Sequence, residues 1–232
     1  MQIKILTWNL GCFSWMKLAA KLHYAYRGNS FKHEYFQPKI NAKLVDEELR
    51  KVLPDIVCLQ EFYEEIDMLS IPMLESYPYK AFVTTWYHKH SILIASKLPF
   101  TVGKQSFAST QISFELLDLY PVHLNSFYAK KRLEQVEELC ALIKHTSTPQ
   151  IITGDMNFWK IGNFFVFKND KRAYRLLEAT MTCITKGVSH TPFGMEFDGI
   201  FTSNEFKTIK VTQELARGDF MDHYPVWCEV LL

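Results

Sequence analysis

The stretch IITGDMNF, Ile151 to Phe158, decides how the rest of this chain is read. Ile151-Ile152-Thr153 reads as the end of a buried strand. Alternation along a strand puts residues two apart on one face, so Asp155 and Asn157 would project together from its end. In α/β folds, strand ends are where loops and ligands meet. Gly, Asp and Asn are also the usual turn formers. On this segment alone a ligand-facing strand end and an ordinary turn both stand, because short motifs do not separate them.

Outward from that stretch, residues 2 to 9 read as a strand with Ile3, Ile5, Thr7 and Asn9 in one phase. Residues 43 to 53, KLVDEELRKVL, place Leu44, Val45, Leu49, Val52 and Leu53 on one helical stripe, and Pro54 stops that helix. DIVCLQEF follows as a mostly apolar strand reaching Glu61. A helix is expected over about 64 to 76, interrupted by Pro72. Strand-like runs follow at 79 to 87, 91 to 96 and 111 to 119. Residues 130 to 144 form an amphipathic helix through Leu133, Val136, Cys140 and Ile143. After the strand at 150 to 155 come a helix near 170 to 179 and strands at 195 to 201 and 225 to 231. The strand-rich middle with short connections points to two mixed sheets packed face to face with helices outside, a four-layer α/β sandwich. No repeat, low-complexity tract or linker divides residues 1–232, which read as a single domain.

Composition narrows the function classes. Of 232 residues, 48% are hydrophobic and 15% aromatic, enough for one sizeable core. With 26 Lys+Arg against 25 Asp+Glu, the formal net charge is +1, which argues against a protein that coats duplex DNA through bulk positive charge. The five cysteines (Cys12, Cys58, Cys140, Cys183 and Cys228) include no CxxC pair and read as reduced thiols rather than zinc ligands or disulfides. MQIKILTWNL alternates like a strand rather than a signal peptide, and no apolar run approaches the ~20 residues of a membrane span. The expectation is a soluble, intracellular, cytoplasmic protein.

Polar residues recur at the ends of the apolar strands. Asn9 ends the first and Glu61 the second, and His123 follows LDLYPV. Asp155 and Asn157 follow IITG, Asp198 lies inside MEFDGIF, and Asp222 and His223 precede YPVWCEV. A carboxylate in an apolar run is costly unless something pairs with it, so the recurrence points to one polar cluster. Carboxylates with carboxamides suit a hard cation, Mg2+ or Mn2+. A histidine beside a carboxylate suits a general base or a group that stabilises phosphate. Together they form an arrangement for cleaving phosphoesters, and no Ser or Cys sits in a nucleophile elbow.

TWNL at 7–10, LQEF at 59–62, SILIASKLPF at 91–100, VHLNS at 122–126, TGDMNF at 153–158, FDGIF at 197–201 and DHYPV at 222–226 resemble the endonuclease/exonuclease/phosphatase superfamily. Their order and spacing fit across essentially the whole chain, and the resemblance decides against the turn reading of GDMN. It implies Glu61 as the principal metal ligand, Asn9 near metal and phosphate, and Asp222 as a ligand or a neighbour of one. Asp155 would orient or deprotonate the attacking water, and Asn157 would hold the phosphate. Asp198 would fix the ring of His223, and His123 would donate to a phosphate oxygen. Taken singly, Asn9 also reads as a turn cap, His123 as an ordinary buried histidine and Asp222 as a turn acid before Pro225. Trp8 and Tyr224 read as packing, and KKR at 130–132 as the solvated start of a helix. Two positions depart from the family pattern: Met221 stands where Ser usually precedes DH, and Gly199 follows the dyad Asp198. Both are expected to alter the rim of the site.

The substrate is less legible. HLNS followed by a helix with Arg and Gln resembles the tyrosyl-DNA phosphodiesterase-like and sphingomyelinase-like branches of the superfamily. That favours a metal-dependent phosphodiesterase acting on nucleic-acid ends or single strands. A phospholipid or inositol-phosphate esterase, or one acting on a phosphorylated small molecule, is the alternative. A non-catalytic interaction module that keeps the fold is the alternative of another class. Residues 11 to 40 interleave aromatics with cations, a pattern that suits a nucleic-acid backbone, a lipid surface or a solvated helix equally. Trp159, Phe164, Phe165 and Phe167, directly after the catalytic strand, would line a substrate groove or act as a lid.

Overall fold

The computed structural model describes residues 1–10, 38–62, 71–84, 91–143, 147–161, 163–188, 195–213 and 223–232. The chain folds as a two-sheet α/β sandwich. The first sheet runs β13 (Lys207–Gln213), β14 (Val226–Leu231), β1 (Gln2–Asn9), β2 (Ile56–Phe62), β4 (Ser91–Ser96), β3 (Tyr79–Thr84). The second runs β11 (Thr182–Cys183), β12 (Asp198–Thr202), β8 (Gln150–Asp155), β7 (Asp118–His123), β6 (Thr110–Phe114), β5 (Phe100–Gln105). Each sheet has one parallel pair, β1 with β2 and β7 with β8, flanked by antiparallel strands. Parallel neighbours need a crossover, and helices supply both. Helix α1 (Pro38–Val52) joins β1 to β2, and α2 (Ala129–Ile143) joins β7 to β8. Helix α3 (Lys168–Glu178) follows the small hairpin β9 (Lys160–Ile161) and β10 (Phe164–Phe165).

The alternation of each strand sorts its side chains into layers. Ile3, Ile5, Ile56, Cys58, Ile94 and Cys228 meet Ile112, Leu119, Ile151 and Ile200 in the core between the sheets. The opposite phase of the first sheet, Leu6, Trp8, Val57 and Leu59, packs under Ala42, Val45, Leu49 and Val52 of α1. The opposite phase of the second sheet, Tyr120, Val122, Ile152 and Phe201, packs under Leu133, Val136 and Leu139 of α2 and Ala173 and Leu177 of α3. Helix α1 ends where Leu53 turns left-handed (φ 51°) with its amide on Leu49 O at 2.8 Å, and Pro54 cannot continue the helix.

Two expectations change, and two strands come unannounced. The run 111 to 119 is two strands, β6 and β7, because Phe114 N–H bonds to Leu117 O at 2.9 Å and turns the chain at Glu115-Leu116 without Gly, Asn or Pro to announce it. The helix expected over 64 to 76 is a single 3-10 turn, Pro72–Ser76, within the described residues, and 63–70 lie outside them. Edge strands β5 and β13, rich in exposed and charged side chains, carry no strand pattern that stands out in sequence. Cys58, Cys140 and Cys228 are buried thiols, and Cys12 lies outside the described residues. Among the described residues no helix is long and apolar enough to cross a membrane. The segment 11 to 37 and most of the expected role for residues 11–40 lie outside the description.

Candidate active site

The site is the polar continuation of the inter-sheet core. On β1 the inward phase runs Ile3, Ile5, Thr7, Asn9, and on β8 it runs Ile151, Thr153, Asp155. On β7 the inward phase passes through Leu119 and Pro121 to His123, and on β12 it passes from Ile200 back to Asp198. Ladder register then brings these ends together. His123 sits opposite Asp155 on the parallel neighbour, and Asp198 sits opposite Asp155 on the antiparallel one. Across the gap between sheets, Asn9 Nδ2 donates to Asp155 Oδ2 at 2.7 Å.

Glu61 reaches the same cleft by a different route. Simple alternation would send it outward with Val57 and Leu59. A bulge between Leu59 and Phe62 shifts the register, and Glu61 takes a left-handed φ of 55°. Gln60 and Glu61 are thus both turned inward. Gln60 Nε2 donates to Thr7 Oγ1 at 3.0 Å, and Asn9 Nδ2 stands 3.4 Å from Glu61 Oε1. Left-handed non-glycine backbone costs on the order of 1 kcal/mol or more and persists where surrounding contacts over-determine it. Asn157 is a second such residue (φ 50°): its amide bonds to Asp155 Oδ1 at 2.7 Å, and its Nδ2 donates to Leu124 O at 3.0 Å.

His223 stands in the loop before β14, held by Trp8 Nε1 donating to its carbonyl at 3.1 Å. Trp8 therefore does more than pack. His223 Nδ1 lies 2.7 Å from Asp198 Oδ2, which fixes the ring's orientation; with the proton on Nδ1, Nε2 has acceptor character. His123 Nε2 lies 3.6 Å from Glu61 Oε1 and 3.7 Å from Asp155 Oδ2, a favourable electrostatic approach but too long for a hydrogen bond. Asp155 is 1% exposed, and burial pushes its carboxyl up to about 6. The charge of Asp198 adds to the rise, while His223, His123 and the Asn9 hydrogen bond oppose it.

Two glycines allow the strands to close on the site. Gly154 (φ 139°) faces Val122, whose carbonyl oxygen would stand 2.0 Å from any added Cβ. Its cross-strand partner Gly199 is buried in the sheet, with Phe201 and Met156 at 2.9 and 3.2 Å from the place of a Cβ. The departure at Gly199 is therefore a packing requirement and not a change at the rim. Trp159, 39% exposed, lies against Phe197, which in turn packs 5.8 Å from the His223 ring. Lys160 and Glu196 form a nearly buried ion pair that ties the β9–β10 hairpin to the segment leading into Asp198. Asp222 and Met221 lie outside the described residues.

Arg132 corrects the solvated reading of KKR. Lys130 and Lys131 are exposed, whereas Arg132 is fully buried and forms a two-pronged ion pair with buried Asp170 at 2.8 Å on both prongs. The signal was present: Arg132 lies on the stripe shared with Gln135, Val136, Leu139 and Ile143, a cation on the apolar face of a helix.

The donor set fits a hard cation. Glu61 offers a partly exposed carboxylate with Asn9 and Asp155 beside it. Mg2+ takes one or two carboxylates and keeps several waters. Among the described residues no group of three or more His, Cys, Asp or Glu is placed to hold a metal.

The sequence model described as Endonuclease/Exonuclease/phosphatase family matches residues 6–220. No curated protein matches. Among solved structures, D. rerio TDP2 complexed with single strand DNA product is 16% identical, with a TM-score of 0.68 over 100% of this chain and 99% of that one. An AP endonuclease from Archaeoglobus fulgidus is 15% identical, with a TM-score of 0.69 over 97% and 98% of the two chains. ANGEL2, a 2',3'-cyclic phosphatase in complex with adenosine-2',3'-vanadate, is 13% identical, with a TM-score of 0.71 over 99% and 95%. At such identities the structural likeness speaks for the fold alone.

Proposed function

The chain belongs to the endonuclease/exonuclease/phosphatase family, and from that premise we propose that it is a divalent-metal-dependent phosphodiesterase. In this reading, residues 1–232 act as a single domain. The observation that carries it is the convergence of Asn9, Glu61, His123, Asp155, Asn157 and the Asp198–His223 pair on one cleft between the sheets. Glu61 and Asn9 would hold the cation, Mg2+ or Mn2+, with Asp222 as a further ligand or a neighbour of one. Bound there, the cation would polarise the phosphoryl oxygen and offset its charge. Asp155, fixed by Asn9 and by the Asn157 amide, takes the proton of the attacking water. Asn157 has a second amide proton for a phosphate oxygen. Asp198 holds the His223 ring so that Nε2 faces the scissile phosphate, and His123 donates where negative charge builds.

The substrate is assigned to nucleic-acid ends or single strands. Exposed Trp159 beside Phe197 offers a face on which a base can stack next to His223. The TDP2 structure with a single strand DNA product lends support from the fold. A lipid-headgroup substrate is the second reading, favoured by the exposed aliphatic and aromatic side chains Ile161, Phe164 and Val166 on the neighbouring hairpin.

The test is hydrolysis of bis-p-nitrophenyl phosphate and a single-stranded oligonucleotide with Mg2+ or Mn2+ against EDTA, for wild type and Asp155→Ala. Metal-dependent cleavage lost in the variant is expected. Absence of both turnover and metal binding would replace this reading with a non-catalytic interaction module. Salt separates the two substrates: backbone binding weakens steeply as counterions compete, whereas apolar insertion into a bilayer does not.

A further inference from the structure

Strands β7 and β8 end at His123 and Asp155, and beyond them both chains leave the ladder that fixes the catalytic side chains. Two direct links remain near the ends: Leu124 N–H to Asp155 O at 2.8 Å and Asn157 Nδ2 to Leu124 O at 3.0 Å. Farther out, one buried ion pair takes over. Arg132 on α2 gives Nε and one terminal nitrogen to Asp170 on α3, and its other terminal nitrogen donates to Asn125 O at 2.7 Å. Asp170 Oδ2 also accepts the backbone N–H of Trp159 at 3.1 Å. The carbonyl lies two residues past His123, and the amide lies two residues past Asn157. Phe167 lies under the guanidinium, 5.9 Å from ring centre to Cζ.

We infer that the Arg132–Asp170 pair is a positioning device for the reaction, setting the spacing between the loop behind His123 and the loop behind Asp155 and Asn157. The inference rests on the hydrolase reading above. Helix docking alone does not account for the pair. Helices α2 and α3 already share an apolar cluster containing Leu133, Val136, Ala173, Tyr174 and Leu177. Desolvating a guanidinium and a carboxylate offsets most of their attraction, so well-packed apolar residues would hold the helices equally well. What apolar side chains cannot do is grip a carbonyl on one loop and an amide on the other in fixed directions. The arginine fork holds the Asn125 carbonyl and Asp170 at once, while Asp170 Oδ2 accepts the Trp159 amide; a lysine in place of the arginine would not present that geometry. Asn125 extends the brace: its backbone N–H donates to Gln135 Oε1 at 2.8 Å, and its Oδ1 accepts the backbone N–H groups of Phe127 and Tyr128 at 3.0 and 2.7 Å.

The experiment compares wild type with the charge-neutral double variant Arg132→Met/Asp170→Leu and with Arg132→Lys. Three quantities are read: melting temperature, kcat and KM on bis-p-nitrophenyl phosphate with Mg2+, and amide hydrogen exchange of residues 124–128 and 157–161. The double variant is expected to melt near wild type, to lose about tenfold to a hundredfold in kcat with little change in KM, and to exchange faster in both segments together. Arg132→Lys, which keeps the charge, is expected to show a smaller kcat loss of the same kind; it also carries the test if the double variant does not fold. A folded double variant with kcat within twofold of wild type and unchanged exchange would overturn the inference. No turnover in the wild type itself would overturn the hydrolase reading instead, and the exchange measurement would then decide the brace alone.

Discussion

Replacing Asp155 by Asn should stabilise the metal-free protein at neutral pH while abolishing its proposed activity. Burial lifts the Asp155 carboxyl from the ordinary 3.8 to about 6, so the folded state prefers it neutral. A group whose folded pKa is raised contributes its full stability below the unfolded value and loses it as pH climbs through the folded one. The loss therefore falls between about pH 4 and pH 6, and above that window the ionised carboxylate costs on the order of 3 kcal/mol. Asn removes that cost. It retains a carbonyl for Asn9 but sets an amide against the Asn157 N–H that Oδ1 now accepts, a loss of roughly 1 kcal/mol. The net gain is about 1–2 kcal/mol, or about 2–8 °C in Tm for a chain of this size. The assay is thermal unfolding of wild type and Asp155→Asn in EDTA at pH 4 and pH 8. The variant should melt higher at pH 8 and no higher, or slightly lower, at pH 4. The same difference at both values would refute the argument that a buried charge is being removed.

Asp198→Asn should lower kcat by about a hundredfold to ten-thousandfold with an unchanged circular dichroism spectrum, since it loosens the His223 ring without opening the core; a change under threefold would deny the pair its role. Gly154→Ala should cost roughly 4 kcal/mol or more, because its Cβ would stand 2.0 Å from Val122 O, whereas Gly187→Ala, with open space around it, should cost only about 1 kcal/mol of backbone strain. Equal urea midpoints for the two would contradict the close approach at Gly154. Burial pushes the thiols of Cys58 and Cys228 up to about 12, so neither should react with an aromatic disulfide reagent at pH 8 until urea is added. Because their folded values are raised, the associated stability persists below the ordinary thiol range near 8.5 and declines as pH rises above it. Prompt labelling of the folded protein at either cysteine would show that these strands open.

Much of the architecture was legible because burial imposes a period. Ile3, Ile5, Thr7 and Asn9 share a parity, and so do Ile151, Thr153 and Asp155. A two-residue repeat says which side chains go inward before any partner is known. The stripe Val45, Leu49, Val52 announces α1 in the same way. Where a strand is edge-exposed the period fades, and β5 and β13 left no such mark. The polar residues of the site were visible as interruptions of apolar strand ends, though their meeting was not, since a ladder register between distant strands is set by the packed sheets.

By itself the sequence determined the inward phases, the two crossover helices and the polar types at the strand ends, because these follow from local periodicity and the cost of burying charge. Only the tertiary structure decided the rest. The bulge at Gln60–Glu61 overrides the parity that would have sent Glu61 outward, and register places Asp198 and His123 on either side of Asp155. Arg132 turned from a surface cation into a buried brace because α3 brings Asp170 to it from 38 residues away in sequence. Such pairings depend on where whole elements come to rest, and no local pattern encodes that.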